Sequence, residues 1–273
     1  MNADVKPNLM KPRWSKVFTD LWEDKTRTGL VVASIAVGVF AIGMIITAFV
    51  ILQADVNQSY ASVNPPNIQV WTDPFDKDLV RVIEKIPGVE NAEGRRTISV
   101  RARSGDNEWK GLSLVGMSDF QGQVNLLDPI EGTQYPGKDE AIVSQNMMNT
   151  TGFKVGEDIE VEFPDGSTQS VKVVGLVTDQ TTAKPNPSET NNIYVTLKTL
   201  DSFGQADHFN KLYVTVDGDG TNAAFISNVA DAIEDKLEDS RRDVYRTEEA
   251  LSTEHPMIDS ILAVLGSLEF WAV

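Results

Sequence analysis

GLVVASIAVGVFAIGMIITAFVIL, residues 29–52, contains no charged side chain. A helix of this length rises about 36 Å, which is enough to cross the roughly 30 Å hydrocarbon core of a bilayer with some tilt. In water, the same helix would expose apolar side chains along its whole length. The sequence therefore predicts a membrane protein with a transmembrane helix over residues 29–52.

The charges on the two sides of this run predict its orientation. Six basic side chains precede it, against four acidic ones: Lys6, Lys11, Arg13, Lys16, Lys25 and Arg27, with Asp4, Asp20, Glu23 and Asp24. The whole chain has 24 Lys and Arg but 40 Asp and Glu, so the acidic excess lies after the run. Short basic flanks stay in the cytoplasm. We expect a cytoplasmic N-terminus and an extracytoplasmic acidic domain.

A cleaved signal peptide is the alternative interpretation of the apolar run. Its apolar region would be about 7–15 residues long and would end at a small-residue cleavage site of the A-x-A kind. The run is longer, and no such site clearly follows it. An uncleaved anchor is therefore the favoured prediction.

Four segments follow from this division of the chain. We predict a cytoplasmic amphipathic elbow at 1–28, the transmembrane helix at 29–52, an extracytoplasmic core domain at 53–256, and the start of a second transmembrane helix at 257–273. The last segment, MIDSILAVLGSLEFWAV, is apolar and helical but carries Asp259 and Glu269. An amphipathic helix lying on the membrane surface is the alternative for this segment.

Two sets of side chains in the N-terminal part are candidates for contacts. The first set forms one apolar stripe on a helix, at positions i, i+3, i+4, i+7 and i+8, and suits the membrane interface or a protein partner. Its members are Trp14, Val17, Phe18, Leu21 and Trp22. The second set, Ser34, Gly38 and Ala41, lies on one row of the predicted transmembrane helix, where small residues let another helix approach closely.

The core domain has a regular order of predicted elements. Alternating or helical spacing of apolar residues, with turn residues between the segments, predicts strand-helix-strand-strand, a large insertion, and then strand-helix-strand. This is the split, ferredoxin-like βαβ pattern in an α+β protein. The two parts are predicted at 67–123 and 210–246. The insertion, 124–209, is mostly β and is expected to form a small barrel or sandwich.

Residue types that carry chemistry are scarce. The chain has no cysteine, which excludes disulfides and thiolate metal sites, and its only histidines, His208 and His255, have no companion at metal-ligand spacing. No G-x-x-x-x-G-K-[ST] phosphate-binding loop occurs. We expect no enzymatic activity and no metal or cofactor in this chain. The net charge of −16 argues against nucleic acid as a partner.

Three stretches give the chain a family resemblance. RWSKVFTDLWEDKTRTGLVVASIAVGVFAIGMI (13–45) resembles the start of an FtsX-like, MacB-type ABC transporter permease, the KTRT before the span being its most specific part. TGFKVGEDIEVEFPDGSTQSVKVVGLV (151–177) resembles the Sabre subdomain of the family's extracytoplasmic core. IDSILAVLGSL (258–268) resembles the opening of the family's second span.

The resemblance implies a fold, partners and a mechanism. The core domain would combine a porter-like part with an inserted Sabre-like subdomain. The protein would be a multi-pass subunit of the cell membrane that pairs with a separate, ATP-binding ABC ATPase, forms a homodimer or heterodimer, and transmits ATP-driven motion outward for export or release of a substrate. The departures at Glu269 and Trp271 fall where the family continues with small and aliphatic residues.

Two other functions also fit two spans that flank an outer domain. A sensory receptor would place a ligand-binding domain outside and a signalling module inside. A membrane-anchored surface protein would need only the first span. Sequence beyond residue 273 would distinguish these classes, because a permease continues with further apolar segments.

Overall fold

The computed structural model describes residue 22 and residues 25–181, 191–206, 208–255 and 258. The chain divides into two compact units, Met1–Ala54 and Asp55–Val273. The helices are α1 (Lys25–Ser62), α2 (Lys77–Ile83), α3 (Gln145–Thr151), α4 (Leu197–Ser202) and α5 (Ala223–Asp239). The strands are β1 (Ile68–Phe75), β2 (Val89–Arg103), β3 (Lys110–Met117), β4 (Asp128–Gly132), β5 (Glu140–Ser144), β6 (Asp158–Glu162), β7 (Thr168–Thr178), β8 (Asn192–Thr196), β9 (Phe209–Val216) and β10 (Val244–Glu249).

The described residues of the first unit are helical, and those from Lys25 onward belong to α1. Large apolar side chains of this helix are exposed on all sides, among them Val37 (68 %) and Phe40 (67 %). Within the described part of the chain, α1 is the one helix long and apolar enough to cross a membrane. The predicted apolar N-terminal helix is therefore confirmed.

The second unit contains a four-stranded antiparallel layer in the order β10-β1-β9-β2. Alternate residues of these strands, such as Ile68 and Leu212, pack with α2 and α5 in one hydrophobic core. In α5, Ile226, Ile233 and Leu237 follow helical spacing and are buried in that core. Both helices therefore cover the same face of the layer, and the opposite face carries no helix from this pair.

Side-chain caps fix where α2 and α5 begin. The carboxylate of Asp76 accepts hydrogen bonds from the backbone N–H groups of Asp78 and Leu79, both at 3.0 Å. The amide oxygen of Asn222 accepts one from Phe225 at 3.1 Å. Each cap satisfies N–H groups that have no partner inside the first helical turn.

The rest of the sheet closes into a ring of six strands. Its pairs run β2-β3, β3-β8, β8-β5, β5-β7, β7-β6 and β6-β2. The ring closes where Arg101 and Arg103 of β2 oppose Glu162 and Glu160 of β6. A second hydrophobic core, which includes Phe153 and Ile193, collects inward-facing side chains from all six strands. Strand β2 is therefore shared by the layer and the ring.

The structure confirms a mixed α/β fold and the predicted order of its main elements. It adds β4, α3 and α4. Strand β2 begins at Val89, well before the alternating residues Ile98, Val100 and Ala102 that predict a strand in the sequence. The strands predicted as an insertion join the same sheet as the other elements, because β8 pairs with β3 and β6 with β2.

Candidate functional site

Within the second unit, the residues directly after α1 are hydrogen-bonded to a segment that is distant along the chain. The backbone N–H groups of Asn125 and Leu126 donate to the carbonyl oxygens of Asn64 (2.9 Å) and Val63 (2.8 Å). Asn64 also donates through Nδ2 to the Gln123 carbonyl at 2.6 Å. Asn64 has a φ of 47°, a left-handed conformation that asparagine tolerates and that turns the chain directly after the helix.

His255 contacts the same end of α1. Its backbone N–H donates to Asn57 Oδ1 (3.0 Å), and its ring meets the edge of the Tyr60 ring with centroids 5.0 Å apart. Its Nε2 lies 3.0 Å from the Gln180 carbonyl oxygen. Because a carbonyl can only accept, Nε2 carries the proton in this contact. Burial lowers the pKa of His255, so the neutral imidazole is favoured.

Asp179 joins these contacts to the sheet. Its Oδ1 accepts from Asn125 Nδ2 (3.3 Å) and from the N–H and hydroxyl of Thr181 (2.9 and 2.8 Å). The Tyr194 hydroxyl donates to its other oxygen and accepts from Asn192 Nδ2 at 3.0 Å. Burial, together with the Asp179 charge, raises the pKa of Tyr194, so the phenol stays protonated as a donor. We call Asn57, Tyr60, Asn64, Asn125, Asp179 and His255 the helix-end junction.

A buried arginine supports this junction from β2. Arg95 donates through Nη2 to the carbonyl oxygens of Val124 (2.9 Å) and Asn125 (3.3 Å), and its guanidinium lies 4.4 Å from the centre of the Tyr213 ring. Its Nε donates to Glu93 Oε1 at 3.3 Å. Burial raises the pKa of Glu93, against the opposing effect of Arg95. Burial alone would lower the pKa of Arg95, but Glu93 and neighbouring oxygens hold it above its ordinary value.

The chemistry of the helix-end junction is that of a hydrogen-bonded connection. Among the residues that the structure describes, no group of three or more His, Cys, Asp or Glu side chains could hold a metal ion. Buried polar groups that satisfy each other fix one geometry, because the loss of any partner leaves a costly unpaired group. The arrangement is therefore suited to hold the last residues of α1, from Asn57 onward, the end of β7 and residue 255 in a defined relation within the second unit.

The helix-end junction includes none of the site residues that were predicted from the sequence. Trp14, Val17, Phe18 and Leu21 fall outside the described residues. Trp22 is helical and 73 % exposed. Ser34, Gly38 and Ala41 lie in α1 with exposed side-chain positions, and nothing lies within 4 Å of the place where a Gly38 Cβ would be. Their predicted contacts stay predictions.

Most of the helix-end junction could not be recognised in the sequence. Tyr60, Asn64, Asn125 and Asp179 carry no motif, and their partners lie up to 198 residues away along the chain, as for Asn57 and His255. The one available signal was the position of His255, directly before the second apolar segment.

A scan against family models matched residues 28–232 to the MacB-like periplasmic core domain. The chain belongs to this family. The match covers well over half of the chain, including most of α1, the ring of six strands and the larger part of α5. Membership in the MacB-like family confirms the resemblance to MacB/FtsX-type ABC transporter permeases. A search of curated proteins found no match to the chain.

Solved structures resemble this MacB-like protein at low overall similarity. The extracellular domain of the noncanonic ABC-type transporter YknZ from Gram-positive bacteria is 17 % identical, with a TM-score of 0.46 over 65 % of this chain and 100 % of that one. The periplasmic region of MacB from Actinobacillus actinomycetemcomitans is 11 % identical, with a TM-score of 0.46 over 75 % and 94 % of the two chains. The family assignment rests on the family model.

Proposed function

We propose that this protein is a permease subunit of a MacB/FtsX-type ABC transporter in the cell membrane. A separate ATPase subunit would bind ATP, and the permease would act as a homodimer or heterodimer. Its role would be mechanical: ATP-driven motion passes through the membrane to the extracytoplasmic domain and drives export or release of a substrate. The single observation that carries this proposal is the family match over residues 28–232.

The helix-end junction supplies a route for such motion. Asn57 and Tyr60 belong to the same helix as the predicted span at 29–52, and His255 directly precedes the segment predicted to begin a second span. Contacts between these three residues would tie the extracytoplasmic ends of two spans to one domain. A shift of either span would then displace the loops that carry Asn125 and Asp179.

Under this proposal, each part of the chain has a role in the permease. The antiparallel layer β10-β1-β9-β2 with β3, α2 and α5 would be the ferredoxin-like, porter-like part, and the inserted elements β4 to β8 with α3 and α4 would be the Sabre-like part. The stripe of Trp14, Phe18 and Leu21 with its neighbours would seat the elbow at the membrane or against the ATPase. Ser34, Gly38 and Ala41 would pack against other spans.

Co-purification of an ATPase tests the proposal. The full-length protein, tagged and expressed from its own locus, is extracted from membranes in mild detergent and its partners are identified by mass spectrometry. We expect a subunit with a phosphate-binding loop and ATP hydrolysis in the purified complex. Recovery of a sensor kinase or another signalling subunit in its place would contradict the permease assignment and favour a receptor.

A variant of the junction separates assembly from transmission. His255→Ala combined with Asn57→Ala removes the two side chains that join residue 255 to α1. In the unmodified protein, ATP-driven motion should change the rate at which a protease cleaves the outer domain. In the double variant, we expect the ATPase to remain bound and this effect of ATP on proteolysis to be lost. His208→Ala with Asn107→Ala is the matched control, and it should behave like the unmodified protein.

A further inference from the structure

The face of the sheet opposite α2 and α5 contains an open cavity of about 310 Å³. It extends over β1, β9, β2, β3 and β8. Cavities of this size accommodate a small ligand. The lining combines two aromatic rings, a lysine and a set of hydroxyl and amide groups: Gln69, Trp71, Thr97, Ser99, Ser113, Asn192, Lys211 and Tyr213 are among its residues.

Lys211 provides a positive charge inside this cavity. Its Nζ lies 4.0 Å from the centre of the Trp71 ring and 4.7 Å from that of Tyr213, so the two rings hold the ammonium group in place. Within the described residues, no carboxylate forms an ion pair with it. Glu248 also lines the cavity, but its carboxylate is engaged by Arg246. The chain as a whole has a net charge of −16 and should repel anions. The ammonium group of Lys211, which has no carboxylate partner among the described residues, therefore marks this cavity as a place where an anion can bind.

Hydroxyl groups surround the lysine. Ser99 of β2 lies directly opposite Ser113 of β3. Thr97, two residues before Ser99 in β2, has its side chain on the same face of the sheet. Among the described residues these three hydroxyls and the Gln69 amide have no intramolecular hydrogen-bond partner. They can donate to a ligand or accept from it. The side-chain amide of Asn210 is not available to a ligand in the same way. Its oxygen accepts from the Thr97 backbone N–H, and its Nδ2 donates to the Thr97 carbonyl oxygen.

We propose that this cavity binds a small, hydroxyl-rich ligand with one anionic group, of the kind found in acidic sugars and sugar phosphates. Lys211 takes the carboxylate or phosphate, and the hydroxyls of Thr97, Ser99 and Ser113 bond the ligand's own hydroxyls. A neutral sugar would leave the ammonium group unmatched, whereas an apolar ligand would leave the hydroxyls unsatisfied. The proposal does not require the ligand to be transported.

Binding is measured on the full chain in nanodiscs by saturation-transfer NMR with three probes: glucuronate, glucose 6-phosphate and glucose. We expect at least one of the two anionic probes to bind about tenfold or more tightly than glucose, in line with a charge-assisted hydrogen bond. The anion that binds better identifies the preferred group. Equal binding of all three probes, or binding of none, overturns the proposal.

Two variants place the binding in this cavity. Lys211→Gln should remove the preference for the anionic probe, and Ser113→Ala should weaken binding by about threefold. Lys198→Gln, an identical change at an exposed lysine of α4, is the control and should leave binding unaltered. If Lys211→Gln changes the melting temperature, its loss of binding could come from altered folding. The effect of Ser113→Ala on binding then decides whether the ligand occupies this cavity. If Ser113→Ala and a folded Lys211→Gln both bind the probes as well as the unmodified protein, the proposed site is refuted. That result would not bear on the proposed ATPase partner, which co-purification tests separately.

Discussion

Arg95 is a fully buried charge on a central strand, and its contacts make it hard to replace. Arg95→Leu leaves the Glu93 carboxylate buried without its cation and removes the donor from two carbonyl oxygens. Breaking a buried pair from one side costs about 3–5 kcal/mol. Arg101→Leu is the control on the same strand: its ion pair with Glu162 is 59 % exposed on the arginine side, so about 1 kcal/mol or less is expected. Thermal melting in nanodiscs compares the two; similar losses would contradict this role for Arg95.

His255 should make the stability of the second unit sensitive to acid. Burial lowers its pKa in the folded protein, whereas in the unfolded chain it titrates near its ordinary pKa of about 6.5. The stabilisation is therefore complete above pH 6.5 and is lost as the pH falls below that value, because the unfolded state then binds the additional proton. The neighbouring phenol of Tyr60 stays protonated over this range, because burial raises its pKa.

The measurement compares melting temperatures at pH 7.5 and 5.5 for the unmodified protein and for His255→Gln. The variant should lose less stability on acidification. His208→Gln, the same change at the chain's other histidine, measures separately how much acid sensitivity the second imidazole contributes. An unchanged pH dependence in His255→Gln would show that the imidazole at the helix-end junction does not contribute.

The pairing of single residues at the junction could not be predicted from the sequence. Periodicity identifies which face of an element is apolar, but it contains no information on which polar groups meet. Arg95 lies in β2, Tyr194 in β8 and Asp179 directly after β7, and the hydrogen bonds that link them to each other or to residues 124–125 span 15 to 54 residues of the chain. Only the closed sheet brings them together, so their function is visible in the structure alone.

At the scale of an element, β7 depends on a glycine where β4 crosses close to it. A Cβ at Gly175 would lie 2.0 Å from the Thr133 carbonyl oxygen and 3.0 Å from Ile142 Cγ2. Gly175→Ala must therefore displace backbone, with an expected cost of about 1–3 kcal/mol or more. Gly111→Ala in β3, where nothing lies within 4 Å, should change stability by about 1 kcal/mol or less. Circular dichroism melting checks both, and equal melting temperatures would contradict the close approach.

The elements with regular apolar spacing were predictable, and those without it were not. In α5 the apolar residues Ile226, Val229, Ile233 and Leu237 follow helical spacing, so this helix could be predicted from the sequence. The first half of β2, VENAEGRRT, does not alternate, because one of its faces carries the buried pair Glu93 and Arg95. β4 is an edge strand paired with β7 alone, and it contains a proline and a glycine. Neither segment has the apolar periodicity on which the prediction depends.

At the scale of the whole molecule, the sequence indicated the order of elements but not the closure of the sheet. Closure depends on three residues of β6 that pair with the end of β2 and place two arginine-glutamate pairs across the join. Such pairs are common on any protein surface and predict no particular contact. Both a barrel and a sandwich were therefore compatible with the inserted strands until their pairing was known.

The orientation of the chain in the membrane is a property of the whole molecule, and the absence of cysteine makes it directly measurable. A single cysteine is introduced either at Lys6, in the basic leader, or at Asp106, exposed in the turn between β2 and β3. A membrane-impermeant maleimide should label Asp106→Cys on intact cells and Lys6→Cys only after permeabilisation, because the basic flank is retained in the cytoplasm. The reverse pattern would place the core domain inside. The helix-end junction would then lie on the cytosolic face, and the proposed transmission from an internal ATPase to an external domain could not operate.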